Sequence, residues 1–348
     1  MAQGFTWSSS TLAIYSLLAM RRGKVCSRGH FGRRVQPRAP HCLHEWRSAS
    51  TTAGSIAVHV EPAPKPSARP GAPLLLLPGW ACGAADWGAV PKLLAAAGNR
   101  DVVSYDPRGI GASAAAAPGC EARSTAALAA DAVLAAEAAD LTAAHVLGIS
   151  LGGMVAQELA VASLKCRIGL KIHSLILCAT TPGGPSAIPV SEAFLQSFDR
   201  WGESGEARRD IAEGFLQRAL PAGWANGRGR QRLLNKTAVA FAETRRGLCT
   251  IKAQAAAVAN FDAGQELGSV FRQAAPGSLP STLALHGDSD TVVAKANADL
   301  LKQYLGQACE LNVWENAGHL LYFEEPRRFV QTVTEFLKAV EAQERTDR

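Results

Sequence analysis

Short apolar runs alternate with stretches of helical spacing along most of the chain. In Gly54–Val60, Ile56, Val58 and Val60 recur at every second position, which predicts a first strand. Glu61–Pro73 holds five prolines and predicts a loop. Leu74–Leu77 is a continuous apolar run stopped by Pro78-Gly79, the pattern of a strand buried on both faces. Further short runs of this kind are Val102–Tyr105, His145–Leu147, Leu175–Cys178, Leu283–Leu285 and Leu311–Trp314. Helical spacing falls between them, over Trp87–Ala97, from a capping Ser124 to Ala139, over Leu151–Ser163, from Ala294 to Tyr304, and from Pro326 to about Gln343. Strand and helix in alternation predict an α/β fold, with a mostly parallel sheet covered by helices.

The alternation breaks once, from about Gly183 to Leu279. There Phe194, Phe198, Trp201, Phe215, Trp224 and Phe241 recur at broadly helical intervals with no clear strand. The parallel-sheet pattern resumes directly afterwards. The stretch therefore reads as a helical insertion lying over the sheet rather than as a separate domain. The expected organisation is a core of residues 51–182 and 280–343 with a helical lid at 183–279, preceded by a disordered segment, 1–50.

Charge sets that first segment apart. The chain of 348 residues carries a net +6, but residues 1–50 hold eight Lys or Arg and one acid, Glu45. The remainder has 28 basic and 29 acidic residues, a net of −1, which gives no reason to expect nucleic acid as a partner. An Arg-rich, Ser-containing, acid-poor leader has the character of an organellar transit peptide, chloroplast or mitochondrial. Its apolar run Thr11–Met20 has no positive charge before it, unlike a secretory signal, and is too short for a stable membrane span. The eight cysteines are scattered without Cys-x-x-Cys or metal spacing, and read as small buried hydrophobes in a reducing compartment.

The candidate chemistry centres on Gly148-Ile149-Ser150-Leu151-Gly152, which sits between a predicted strand and a predicted helix. A turn this tight strains the backbone at its middle residue and admits only small residues two before and two after it. It would hold Ser150 above the sheet edge as a nucleophile, with the helix N-terminus beneath it facing any developing negative charge. Among eight His, His319 follows the last strand in Asn316-Ala317-Gly318-His319 and is the last in the chain, so it is the candidate general base. Gly287-Asp288-Ser289-Asp290 follows a strand and offers two carboxylates. Asp290 lies further into the loop and is favoured as the orienting acid; Asp288 is better placed to support the turn. An oxyanion hole needs two N–H donors, and Leu151 and Trp80 are the candidates. Trp80 and Met154 are the candidate substrate contacts. No His or further acid clusters with the Asp pair, so no metal is expected.

These segments together resemble the α/β-hydrolase superfamily over about residues 54–340. The resemblance rests on Leu74–Trp80, Tyr105-Asp106-Pro107-Arg108-Gly109 through Ser113, Gly148–Met154, His286–Asp290 and Gly318-His319. Gly148–Ala160 looks most like the 3-oxoadipate enol-lactonase and carboxylesterase group. The resemblance implies a triad of Ser150, Asp290 and His319 and a lid between the sheet's two halves. It also implies a tying rather than catalytic role for Asp106 and Arg108. The chain departs from the family in having Pro78-Gly79 where His-Gly is common. The expected activity is cleavage of a small-molecule ester, thioester or lactone through an acyl-enzyme on Ser150, with no cofactor. The alternatives are acyl transfer or C–C bond hydrolysis with the same triad, or a small-molecule receptor of the same fold.

Overall fold

A computed structural model describes residues 45–51, 54–64, 70–114, 121–202, 205–275 and 278–346. Eight strands form one sheet: β1 (Glu45–Thr51), β2 (Gly54–Glu61), β3 (Leu74–Leu77), β4 (Val102–Asp106), β5 (Ala143–Ile149), β6 (Lys171–Cys178), β7 (Ser281–Gly287) and β8 (Cys309–Trp314). Their spatial order is β1-β2-β4-β3-β5-β6-β7-β8. The first two strands are antiparallel to their neighbours, and the rest are parallel. The reason is visible in composition. Leu74, Leu75, Leu76 and Leu77 have no exposure at all, as befits a strand covered on both faces.

The helices that separate the strands are α1 (Val90–Gly98), α2 (Thr125–Ala138), α3 (Leu151–Leu164), α4 (Glu192–Leu195), α5 (Gly205–Ala219), α6 (Arg230–Glu243), α7 (Leu248–Ala259), α8 (Gly264–Gln273), α9 (Ala296–Leu305), α10 (Leu321–Glu324) and α11 (Pro326–Thr346). Ser124 caps α2, its side chain accepting from the Ala127 N–H at 3.2 Å. In one set α1 packs on α11. In the other, α2, α3, α8 and α9 pack in a row. Helices α4–α7 lie between β6 and β7 in sequence, inside the stretch expected to be inserted. Among the described residues no helix is long and apolar enough to cross a membrane.

Three expectations differ from the structure. Glu45–Thr51, expected to close a disordered leader, is a strand paired with β2 from Glu45–Val60 to Thr51–Gly54. Its Ser- and Thr-rich sequence lacks an apolar alternation, and an edge strand needs only one backbone ladder. The rest of the leader, 1–44, lies outside the described residues. Helix α8, expected within the lid, joins the core layer on α3 and α9; spacing alone does not reveal which surface a helix docks on. The cysteines are not all buried free thiols. Cys249 is disulfide-bonded and Cys166 is exposed.

A buried ionic cluster fastens the last helix to the start of the parallel strands. Arg100 Nη1 donates to Glu341 Oε1 at 2.9 Å and to Ala72 O at 2.8 Å. The Ala72 N–H donates to the same Glu341 oxygen at 3.0 Å. His145 Nε2 lies 3.3 Å from that oxygen, and its Nδ1 lies 2.8 Å from Ser174 Oγ. Burial alone would raise the Glu341 carboxyl, but His145 and Arg100 outweigh it and hold the group down at about 2. A carboxyl lowered on folding stabilises above its ordinary value of 4.5 and loses that contribution as pH falls through its folded value. Glu341→Gln should therefore cost about 3 kcal/mol at pH 6, since it leaves Arg100 buried without its carboxylate. In urea unfolding, the gap between variant and wild type should narrow as pH falls from 4.5 toward 2.

Candidate active site

Four parallel strands, β5 to β8, lie side by side, so the segments that follow them emerge at one sheet edge. Ser150 follows β5, Asp290 follows β7 and His319 follows β8. Trp80 follows β3, the neighbour of β5 on its other side.

Ser150 has φ 55 and ψ −120, in territory that side chains disfavour. Backbone packing forces it there. A Cβ on Gly148 would stand 2.1 Å from Gly152 O, and one on Gly152 would stand 2.1 Å from Leu77 O. One on Gly153 would stand 2.6 Å from the Thr180 side chain. The absence of side chains at 148, 152 and 153 thus lets α3 start directly against β3 and β6. The Ser150 N–H donates to Cys178 O at 2.9 Å, and Thr180 Oγ1 donates to Ser150 O at 2.7 Å. The strained residue is held on both sides, and 8% of it is exposed.

The acid and the imidazole are joined. His319 Nδ1 lies 2.7 Å from Asp290 Oδ2. The other carboxylate oxygen accepts the Val292 and Val293 N–H groups at 2.8 and 2.9 Å. His286 Nε2 lies 3.3 Å from Oδ2 and 2.9 Å from Val293 O. Burial would raise the Asp290 carboxyl, but His319, His286 and their hydrogen bonds outweigh it and hold it well below the usual carboxylate range. Asp290 is thus an anion at neutral pH. With Nδ1 engaged, the imidazole has Nε2 left for proton transfer. Asp288 instead supports the turn: its Oδ1 accepts the Asn316 N–H at 2.8 Å and the Ser289 hydroxyl at 2.9 Å.

Among the described residues no hydrogen bond links Ser150 Oγ to His319. The structure brings the two to one edge on separate loops, and the serine hydroxyl makes no hydrogen bond among the described residues. Neither the Trp80 nor the Leu151 N–H donates to a protein acceptor among the described residues. Gly79, beside Trp80, lies close to the serine: a Cβ there would be 3.6 Å from Ser150 Cβ. The Trp80 indole is 3% exposed, Met154 has no exposure, and both are packed into the core. Asp106 accepts the Ala84 and Ala112 N–H groups at 2.9 Å each, and Arg108 Nε donates to Asp131 at 2.9 Å. Both tie loops.

The sequence pattern missed Glu324. Its two carboxylate oxygens accept the Gly318 and Leu320 N–H groups, at 2.8 and 3.0 Å, on either side of His319. The signal was a charged residue five positions after His319, closing the run Leu320–Phe323. Burial pushes this carboxyl up to about 7, against its two N–H donors and His319. Among the described residues no group of three or more His, Cys, Asp or Glu side chains could hold a metal ion.

A sequence model of the α/β hydrolase family matches residues 74–332. No curated protein sequence matches the chain at a significant level. Solved structures do. An enol-lactonase from Burkholderia xenovorans LB400 superposes with a TM-score of 0.65 at 18% identity, covering 84% of this chain and 99% of that one. A thermophilic esterase from Thermogutta terrifontis gives 0.62 at 23% identity, with 86% and 99% covered. A meta-cleavage product hydrolase from Pseudomonas fluorescens IP01 gives 0.60 at 19% identity, with 84% and 97% covered.

Gly152→Ala should destabilise the fold by about 3 kcal/mol or more, because its Cβ has no room against the Leu77 backbone. Gly169→Ala, whose Cβ would meet nothing within 4 Å, should leave the urea midpoint nearly unchanged. Glu324 gives an opposite pH signature to Glu341. A carboxyl raised on folding binds its proton more tightly in the native state, so stability falls as pH rises from the ordinary 4.5 to about 7. Urea unfolding between pH 4.5 and 7.5 should show wild type losing more stability than Glu324→Gln across that window.

Proposed function

The chain belongs to the α/β hydrolase family, and on that premise we propose that it is a serine hydrolase of small-molecule esters, thioesters or lactones. The observation that carries this reading is the Asp290–His319 contact of 2.7 Å at the sheet edge that also bears the strained Ser150. Ser150 Oγ attacks the substrate carbonyl while His319 Nε2 takes its proton. Asp290 fixes the imidazole tautomer and stabilises the imidazolium. The Trp80 and Leu151 N–H groups receive the oxyanion, with the N-terminus of the 14-residue helix α3 behind them. His319 then protonates the leaving oxygen or sulfur, and water, deprotonated by the same imidazole, releases the acyl group.

The substrate class is drawn from two of the structural neighbours, an enol-lactonase and an esterase, and from the surroundings of His319. Phe194 lies edge-on to the imidazole with ring centroids 5.9 Å apart, and Trp80 meets Phe194 and Phe198 at 5.5 and 4.9 Å. We read helices α4–α6 as a lid whose aromatic face covers an apolar acyl group or ring. The meta-cleavage product hydrolase neighbour keeps C–C bond hydrolysis as the second reading.

A fluorophosphonate should label wild type at Ser150 and leave Ser150→Ala unlabelled. On a panel of p-nitrophenyl esters and lactones, Ser150→Ala should lose at least roughly a thousandfold in kcat, and Asp290→Asn on the order of ten-thousandfold through the wrong imidazole tautomer. Undiminished hydrolysis by Ser150→Ala overturns the reading.

A further inference from the structure

The loop that carries the Trp80 N–H has one backbone bond of its own, from the Cys82 N–H to Gly79 O at 3.1 Å. Ala81 stands at φ 59, a left-handed conformation costly for any residue with a Cβ. The sequence Pro78-Gly79-Trp80-Ala81 has its glycine two positions too early to relieve that strain. That bond leaves both backbone groups of Ala81 free for partners, and the partners come from far along the chain. The Ala81 N–H donates to Gln254 Oε1 at 2.9 Å. Ala81 O accepts from Arg246 Nε at 2.6 Å. The Trp80 indole Nε1 donates to Ile251 O at 2.9 Å. Both backbone groups of the strained residue and the side chain before it are therefore held by helix α7 and the residue two positions before its start.

Arg246 is itself locked in place. Its Nη2 donates to both oxygens of Asp86 at 2.6 and 2.7 Å, and its Nη1 donates to Phe241 O. Its guanidinium lies over the Phe241 ring, 3.6 Å from the centroid. Asp86 in turn accepts the Gly83 N–H at 2.8 Å, which ties the far end of the same loop to the same cation. Gln254 is 1% exposed and sits one turn after Ile251, so the two present one face of α7 to the loop. A buried amide and a buried guanidinium committed to a strained backbone segment beside Ser150 are more than packing requires.

We infer that Gln254 and Arg246 are positioning residues for the oxyanion hole, acting through Ala81 to aim the Trp80 N–H. The inference rests on the proposed role of Trp80 as an oxyanion donor. It gives the two parts of the inserted segment different roles. Helix α7 is a fixed wall of the catalytic centre, and any opening of the lid belongs to α4–α6.

The experiment compares Gln254→Leu, Gln254→Glu and Arg246→Lys with wild type and Ser150→Ala on a p-nitrophenyl ester. Each variant is checked first for an intact fold by circular dichroism and thermal unfolding. Gln254→Leu should lower kcat by roughly tenfold to a hundredfold, less than the outright loss of an oxyanion donor, while KM stays within about twofold. Its affinity for an aryl trifluoromethyl ketone, which places an oxyanion in the hole, should fall by the same factor as kcat/KM. Gln254→Glu keeps an oxygen acceptor opposite the Ala81 N–H and should recover most of the loss. Arg246→Lys, which cannot bond Ala81 O and Asp86 in the same fork, should follow Gln254→Leu. A folded Gln254→Leu with wild-type kcat and ketone affinity overturns the inference while leaving the triad intact. A loss confined to KM also overturns it, because it marks a contact made to bound substrate alone. Undiminished turnover by Ser150→Ala removes the reading beneath it, and the inference with it.

Discussion

Two backbone segments that pass with nothing between them set the geometry of this molecule's working edge. Gly152 lies so close to the end of β3 that a single carbon on it would stand 2.1 Å from the Leu77 carbonyl. Gly148 and Gly152 approach each other just as closely. That contact fixes where α3 can start relative to β3 and β5, and so fixes the conformation of Ser150 between them. It also sets the distance between the turn that follows β3 and the turn that follows β5. The two candidate oxyanion donors sit on those turns, so an error in this packing would misplace both at once. Interiors as dense as those of proteins transmit such errors rather than absorb them.

The charges at the edge are arranged so that each has a compensating partner. Asp290 is buried yet anionic because two imidazoles and two backbone N–H groups converge on it. Glu324 is buried with two N–H donors and, among the described residues, no cation bonded to it, and its carboxyl rises to about 7. The contrast shows why burial alone does not predict ionisation: at Asp290 the hydrogen-bonded imidazoles outweigh burial, whereas at Glu324 two N–H donors and the more distant pull of His319 do not. Both carboxylates grip the loop that holds His319. Asp290 does so through the imidazole, and Glu324 through the backbone on either side of it.

Local pattern was enough for the parts of the fold built from local rules. Buried parallel strands announce themselves as apolar runs, and Leu74–Leu77 is the clearest. Gly148, Gly152 and Gly153 identified the elbow because tight approach needs glycine. Asp290 was separable from Asp288 by its depth in the loop. Strand β1 was not legible, because an edge strand is specified by the ladder it joins more than by its own side chains. Helix α8 had a helical pattern but no mark of its destination. Arg246 and Gln254 were invisible for a different reason: their partners are 165 and 173 positions away, and nothing near them in sequence hints at an acceptor to serve. Glu324 lay between these cases, a lone carboxylate at the end of an apolar run.

The cluster that fastens the last helix has a consequence for the order in which the chain is made. Arg100 and Glu341 are 241 residues apart. At synthesis rates of about 5–20 residues per second, the segment bearing Arg100 and His145 is exposed for many seconds before its carboxylate exists. Through that interval the guanidinium lacks the carboxylate that it pairs with in the fold. Completion of this buried cluster is therefore tied to α11, whose Glu341 is the anion that Arg100 and His145 share.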